Sequence, residues 1–195
     1  MLNQKLKGRN IILASGSPRR QQFFKDLGID FEIRLKEIDE IYPDELQSHE
    51  ITDFLSVLKS AAFDGELNDN DILVTSDTIV WHDGMALGKP KSYDDAVAML
   101  RKMSDTTHEV FTSVCLKTND ATLVFHDVTK VTFAPISDEA IHYYLETCKP
   151  FDKAGSYGIQ DWLGLTAISR IEGSYTNVVG LPTEKLYRHL LNIID

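Results

Sequence analysis

Six consecutive residues, Ser15-Gly16-Ser17-Pro18-Arg19-Arg20, stand between a short apolar run at 10–14 (NIILA) and a stretch with helical spacing. Ser17 has the chemistry of an N-cap and Pro18 that of a first helical residue. The unpaired N–H groups and the dipole of a helix start favour an anion. Gly16 lets a backbone approach a ligand closely, and the two serines add hydroxyl donors. Two arginines in the first turn oppose the dipole; a phosphate chain gripped by both guanidinium groups would resolve that conflict. A capped helix with two solvated arginines accounts for the same residues equally well.

Asp77 interrupts the otherwise apolar run 72–80 (ILVTSDTIV). A carboxylate there is costly unless it binds a metal, pairs with a cation or lies at the open end of the strand. Ligands of α/β sheets bind at such ends, although a strand-end Asp bonded to a turn reads the same way. Lys89, in Gly88-Lys89-Pro90, either reaches a phosphate or decorates a surface turn. The segment 152–160 (DKAGSYGIQ) is a loop with special backbone demands, and Asp39-Glu40 offers a second carboxylate or a solvated acidic loop. Phosphate-loop, dinucleotide, HExxH and Gly-x-Ser-x-Gly patterns are missing from the sequence. His49, His82, His126, His142 and His189 are scattered without ligand spacing and read as surface or core residues. Cys115 and Cys148, the only cysteines, form neither a metal motif nor a disulfide framework.

These groups need a scaffold, and the hydrophobic pattern supplies one. Strands are expected at 10–14, 30–35, 72–80, 85–87, 108–117, 122–134, 165–171 and 175–179. Helices are expected from Pro18 to Leu27, with Gly28 as the stop; from Ser48, with Ile51, Phe54, Leu55, Leu58, Ala61 and Ala62 as its apolar face; and over 93–103 behind Ser92. Two more run from Ser137 to near Cys148 and from Thr183, with Leu186, Leu190 and Leu191 inward. Residues 36–47 and 149–161 read as loops. Helices mixed with hairpins specify an α/β fold with a mixed sheet, and no linker divides the single domain expected over 1–195.

The chain has 195 residues, 43% hydrophobic and 26% charged, which excludes a disordered protein. Twenty Lys+Arg against thirty Asp+Glu give a net charge of -10, which argues against a duplex nucleic-acid binder but not against a small anion in a locally basic pocket. No apolar run approaches the roughly 20 residues of a membrane span, and residues 1–10 show no leader-like apolar core, so a cytoplasmic protein is expected.

Taken in order, 13–20 (LASGSPRR), 76–80 (SDTIV), 88–90 (GKP), 108–112 (HEVFT), 152–160 and 173–182 (GSYTNVVGLP) resemble the Maf family of septum-formation-like nucleoside triphosphate pyrophosphatases. The resemblance implies an elongated mixed β-sheet with flanking helices, in two lobes around a cleft, as in the inosine triphosphatase-like enzymes. It implies hydrolysis of a nucleoside triphosphate to the monophosphate and pyrophosphate with a divalent cation, Mg2+ or Mn2+. It also implies nucleotide house-cleaning, a link to division arrest and a homodimer, with neither nucleic acid nor membrane as partner. By position, Asp77 matches the family's proton acceptor, and Asp77 and Glu40 its metal-binding carboxylates. Ser15, Arg19, Arg20, Lys59 and Lys89 match phosphate-contacting positions, and Arg19, Thr78 and Gln160 those linked to base preference. Arg19-Arg20 with Gln160 resemble the dTTP/UTP-preferring branch. A nucleotide-binding regulator of septation without turnover, and a 7-methyl-GTP or inosine triphosphate pyrophosphatase, are the alternatives. Two residues depart from the family's habit: Ser113, where Gly is common, and Gly88, where Glu is frequent.

Overall fold

The structure is a computed structural model that describes residues 2–194. Met1 and Asp195, the ends of the expected domain, lie outside the described residues. In chain order the elements are α1 (Leu2–Lys5), β1 (Asn10–Leu13), α2 (Pro18–Asp26), β2 (Glu32–Ile33), α3 (His49–Ala61), β3 (Asp71–His82), β4 (Met85–Leu87), α4 (Tyr93–Met103), β5 (Thr107–Lys117), β6 (Thr122–Phe133), α5 (Asp138–Cys148), α6 (Trp162–Ala167), β7 (Ile168–Glu172), α7 (Tyr175–Val179) and α8 (Thr183–Ile194). The strands follow the order β2-β1-β3-β5-β6-β7, with β4 paired to β3. β1 is parallel to β2 and β3, whereas β4 and β7 run antiparallel to β3 and β6, so the sheet is mixed as expected. The chain divides into two compact units: residues 1–77, 112–127 and 180–195 in the first, 78–111 and 128–179 in the second.

In the first unit, β1 and the start of β3 alternate between two apolar clusters. Ile11, Leu13, Ile72 and Val74 join Phe24 of α2 and Leu186 of α8. Ile12 and Leu73 join Phe63 and Leu67 beyond α3. Side chains of a strand alternate between its faces, and both faces here are covered, which is why the sequence reads as a continuous apolar run. The buried face of α3 differs from the one expected. Ile51 and Leu55 are buried, but so are Thr52, Ser56 and Ser60, whereas Phe54 is 38% exposed. Each of the three hydroxyls donates to the carbonyl three residues back, at 3.0, 2.8 and 2.8 Å. Satisfied within the helix, they form a small polar face that lies close against the sheet, where the Thr75 hydroxyl donates to the Ser56 carbonyl at 2.6 Å.

The second unit has its own core, in which Val80, Leu100, Val131, Ile141, Tyr144 and Leu163 take part. The loop 149–161 is pinned to it by close approach. Gly155 has φ +66°, its added Cβ would lie 2.8 Å from the Val80 side chain, and its N–H donates to the Gly88 carbonyl at 3.0 Å.

Three expected strands are corrected here. Residues 165–167 belong to helix α6, and β7 begins only at Ile168. An added Cβ on Gly164 would lie 2.0 Å from the Ile159 carbonyl oxygen, a backbone contact that α6 makes and that no side chain would permit. Residues 175–179 form α7, not a strand. The β-branched residues there are overridden by a buried polar hub: Asn177 Nδ2 donates to the Val110 carbonyl and to Thr129 Oγ1, both at 3.0 Å, and Ser174 Oγ accepts the Asn177 N–H. The strand expected over 30–35 shrinks to Glu32–Ile33, at the edge of the sheet.

His108 fastens the HEVFT strand to the 152–160 loop. Its Nε2 lies 2.7 Å from the Tyr157 hydroxyl, and its ring packs on Phe133 and Tyr157. Burial, with the nearby His82 adding to it, pulls its pKa down from 6.5 to about 3. Below pH 6.5 the unfolded chain therefore takes up a proton that the folded chain refuses. Stability should fall between pH 6.5 and 3, by up to about 1.4 kcal/mol per unit from this residue. In urea unfolding across that window, His108→Gln should show a shallower slope than the parent chain; an identical slope removes His108 as its cause.

Candidate active site

The turn between β1 and α2 forms as its sequence suggests. Ser17 caps α2 by accepting the Arg20 N–H, with Pro18 in the first turn. Ser15 is buried, and its Oγ accepts the Ser17 N–H at 3.3 Å. Gly16 is exposed, and an added Cβ would meet only Leu35 Cδ1, at 3.7 Å, so the space over this backbone is open.

The two arginines behave differently. Arg20 turns inward: Nε donates to the Gly180 carbonyl at 2.8 Å, and one Nη donates to the Ser76 carbonyl at 2.9 Å and to Ser15 Oγ at 3.4 Å. Its conflict with the helix dipole is thus answered by backbone oxygens. Burial pulls its pKa down, Arg19 adds to that, and Asp77 and Glu40 oppose it; a guanidinium so placed stays charged. Arg19, half-buried, lies beside it in the first turn of α2.

Lys59 sits in the last turn of α3. Its ammonium lies 2.6 Å from Asp77 Oδ1 and 2.9 Å from Glu40 Oε1. One cation is thus shared by two carboxylates, the first from β3 and the second from the loop before α3. Arg19, Arg20 and Lys59 against Glu40 and Asp77 leave one positive charge in excess, in a chain whose net charge is -10. The first unit therefore brings together Ser15, Arg19, Arg20, Glu40, Lys59 and Asp77.

Thr78, Lys89 and Gln160 belong to the second unit. Thr78 is half-buried on β3 and Lys89 is exposed just beyond β4. Gln160 is exposed at the end of its loop, where a network with no signature in the sequence fixes the backbone. Tyr144 donates to Asp161 Oδ2 and accepts the Gly158 N–H, both at 3.0 Å, and Lys153 lies 3.5 Å from the same carboxylate oxygen. An added Cβ on Gly158 would lie 2.5 Å from Asp161 Oδ2 and 2.8 Å from Gln160 Nε2, so this glycine makes room for the Gln160 amide. Burial and Asp161 push the Tyr144 phenol upward, which keeps it a donor.

The histidines also correct an expectation. His49 and His126 are not scattered: their rings are 4.2 Å apart, and Asp53 lies with them in a His49–Asp53–His126 cluster of the first unit. The i, i+4 spacing of His49 and Asp53 on α3 was the signal available in the sequence; the part played by His126 depends on the fold.

Residues 10–193 match the family model described as Maf-like protein. The chain is 64% identical over 194 residues to a dTTP/UTP pyrophosphatase of Flavobacterium johnsoniae, covering 100% of each. It is 66% identical over 192 residues to the protein of the same name from Flavobacterium psychrophilum, covering 98% of each. A third, from Christiangramia forsetii, is 50% identical over 195 residues and is also matched along 100% of each chain. Among solved structures, the Staphylococcus aureus Ham1 protein superposes with a TM-score of 0.53 at 16% identity, over 95% of this chain and 100% of that one, a likeness of fold alone.

Lys59 and Asp77 should be energetically coupled. Removing the ammonium from this poorly exposed pair leaves two carboxylates facing each other, so Lys59→Met should cost about 2–3 kcal/mol. Asp77→Asn in the same chain should recover part of it, with an interaction term of at least about 1 kcal/mol in a double-mutant cycle read by urea denaturation. Additive costs would mean that the pair is incidental.

Proposed function

This chain belongs to the Maf family, and on that footing we propose that it hydrolyses dTTP and UTP to the nucleoside monophosphate and pyrophosphate. The observation that carries the reading is the Glu40–Lys59–Asp77 cluster, set beside a helix start that bears two arginines and a backbone open at Gly16.

A water attacks the α-phosphorus, the new P–O bond forms, and the bridging bond from the α-phosphorus to the β-phosphate oxygen breaks, releasing pyrophosphate. The proton of that water passes to Asp77. Oδ1 of Asp77 is held by Lys59, so Oδ2 is the oxygen that accepts it. Ser15, Arg19 and the N-terminal amides of α2 bind phosphate oxygens, with Lys89 as a further phosphate ligand, and fixed donors of this kind stabilise developing charge without reorganising. Arg20 braces the turn through Gly180 and Ser76 and adds its charge to the field.

The residues also fit the divalent cation that the family implies. Glu40 and Asp77 already converge on one cation, the Lys59 ammonium, and two carboxylates are the hard oxygen donors that Mg2+ or Mn2+ takes. Bound there, such an ion would supply Lewis-acid neutralisation of the phosphate oxygens. Gln160 carries the base preference together with Thr78 and Arg19: its amide both donates and accepts, matching the N3–H and O4 edge of a pyrimidine. Family membership further implies a cytoplasmic homodimer acting on free nucleotides and a part in nucleotide house-cleaning. No helix among the described residues is long and apolar enough to cross a membrane.

Purified protein incubated with Mg2+ or Mn2+ and a panel of nucleoside triphosphates should yield monophosphate and pyrophosphate from dTTP and UTP, resolved chromatographically. Asp77→Asn should lower kcat by at least about 100-fold. Diphosphate and orthophosphate as products would overturn the assignment, and stabilisation by nucleotide without turnover would point instead to a binding protein. Gln160→Glu replaces a donor with an acceptor and should reduce kcat/KM for dTTP and UTP by about tenfold or more while leaving the melting temperature in place. Unchanged rates with both nucleotides would take Gln160 out of base recognition.

A further inference from the structure

Outside the nucleotide site, one cluster has the composition of a metal centre. His49 and Asp53 project from successive turns of α3, and His126 comes from β6. Their potential ligand atoms all lie within 4.8 Å of one another, and each residue is only partly buried, open to an ion from solvent. We propose that His49, Asp53 and His126 form a second cation site, distinct from the Glu40–Asp77 carboxylates, that binds one Zn2+ ion through three protein ligands and leaves a fourth position to water.

Geometry and donor chemistry both support this. A tetrahedral Zn2+ with bonds of about 2.0–2.1 Å separates its ligand atoms by roughly 3.3–3.4 Å. His126 Nδ1 and Asp53 Oδ2 are already 3.2 Å apart, and the His49 ligand atom lies within 4.8 Å of both. Two imidazoles and one carboxylate suit a borderline first-row ion, whereas Mg2+ prefers oxygen throughout. The carboxylate is also oriented from behind. Ser113, fully buried, donates to Asp53 Oδ1 at 2.6 Å, and Thr52 Oγ1 lies 2.6 Å from Ser113 Oγ. That support holds one oxygen and turns the other toward His126, as outer partners of metal ligands do. Lys185, which donates to the His126 carbonyl, is answered by Asp127 at 2.8 Å, so its charge is not left facing the cluster. Asp53 and His126 are wall residues of an open depression completed by Phe54, Val57, Val124 and Phe125, whose apolar surfaces offer no competing ligands.

Titration of the full chain with Co2+, followed by visible absorption, reads the site directly. Imidazole-rich tetrahedral coordination gives intense bands, whereas oxygen-only octahedral coordination at the catalytic carboxylates gives faint ones. One equivalent with intense bands, displaced by Zn2+ and absent in His49→Ala and His126→Ala, is the expected result. Ser113→Ala should keep the bands but weaken Zn2+ affinity about 10- to 100-fold. Melting temperatures measured with chelator present establish that each variant is folded. Faint bands only, or intense bands retained in both histidine variants, would overturn the site, and neither outcome bears on whether the chain hydrolyses nucleotides.

Discussion

Asp77 is a carboxylate in a strand buried on both faces, and much of the first unit is arranged around balancing it. Burying an ion is costly, and an ion pair repays that cost only when its geometry is good. The Lys59 ammonium at 2.6 Å supplies the geometry, and the polar face of α3 makes that distance attainable. Thr52, Ser56 and Ser60 each satisfy their hydroxyls within the helix, so they can be fully buried while taking up little room. A helix with leucines at those positions would stand further from the sheet, and the lysine at its end would be carried away from the strand. Packing, in this region, serves electrostatics.

That arrangement also explains which parts of the molecule were legible in the sequence. Cap residues and stop glycines act through the local backbone, so Ser17, Pro18, Ser92, Ser137 and Gly28 marked the helices they belong to. The long strands were visible through their runs of apolar residues. The buried face of α3 was not, because burial of a small hydroxyl depends on a carbonyl within its own helix and leaves no apolar signature. Residues 175–179 failed for a related reason: strand-like side chains were outvoted by Asn177, whose partners on β5 and β6 lie far away in sequence.

The candidate site divides in the same manner. Asp77 was conspicuous because it was out of place, and the SGSPRR turn because its arginines opposed a helix dipole. Nothing in the sequence distinguished Arg19 from Arg20. Consecutive helical residues point about 100° apart, and only the positions of the Gly180 and Ser76 carbonyls make Arg20 the inward brace. Tyr144 was likewise hidden, since its apolar ring marks it as core while its hydroxyl organises Gly158 and Asp161.

The acidity of the chain looks at first like an obstacle to binding a polyanion. A net charge of -10 spread over the surface is attenuated by salt, however, over a Debye length of about 8 Å at physiological ionic strength. Charges within hydrogen-bonding distance of a ligand, in a partly buried setting, are screened far less. Arg19, Arg20 and Lys59 outnumber Glu40 and Asp77 by one, and the amides at the start of α2 add their dipole to that excess. A short phosphate chain is small enough to be held inside that cationic region, so the acidity of the wider surface, screened over this distance, does not oppose it.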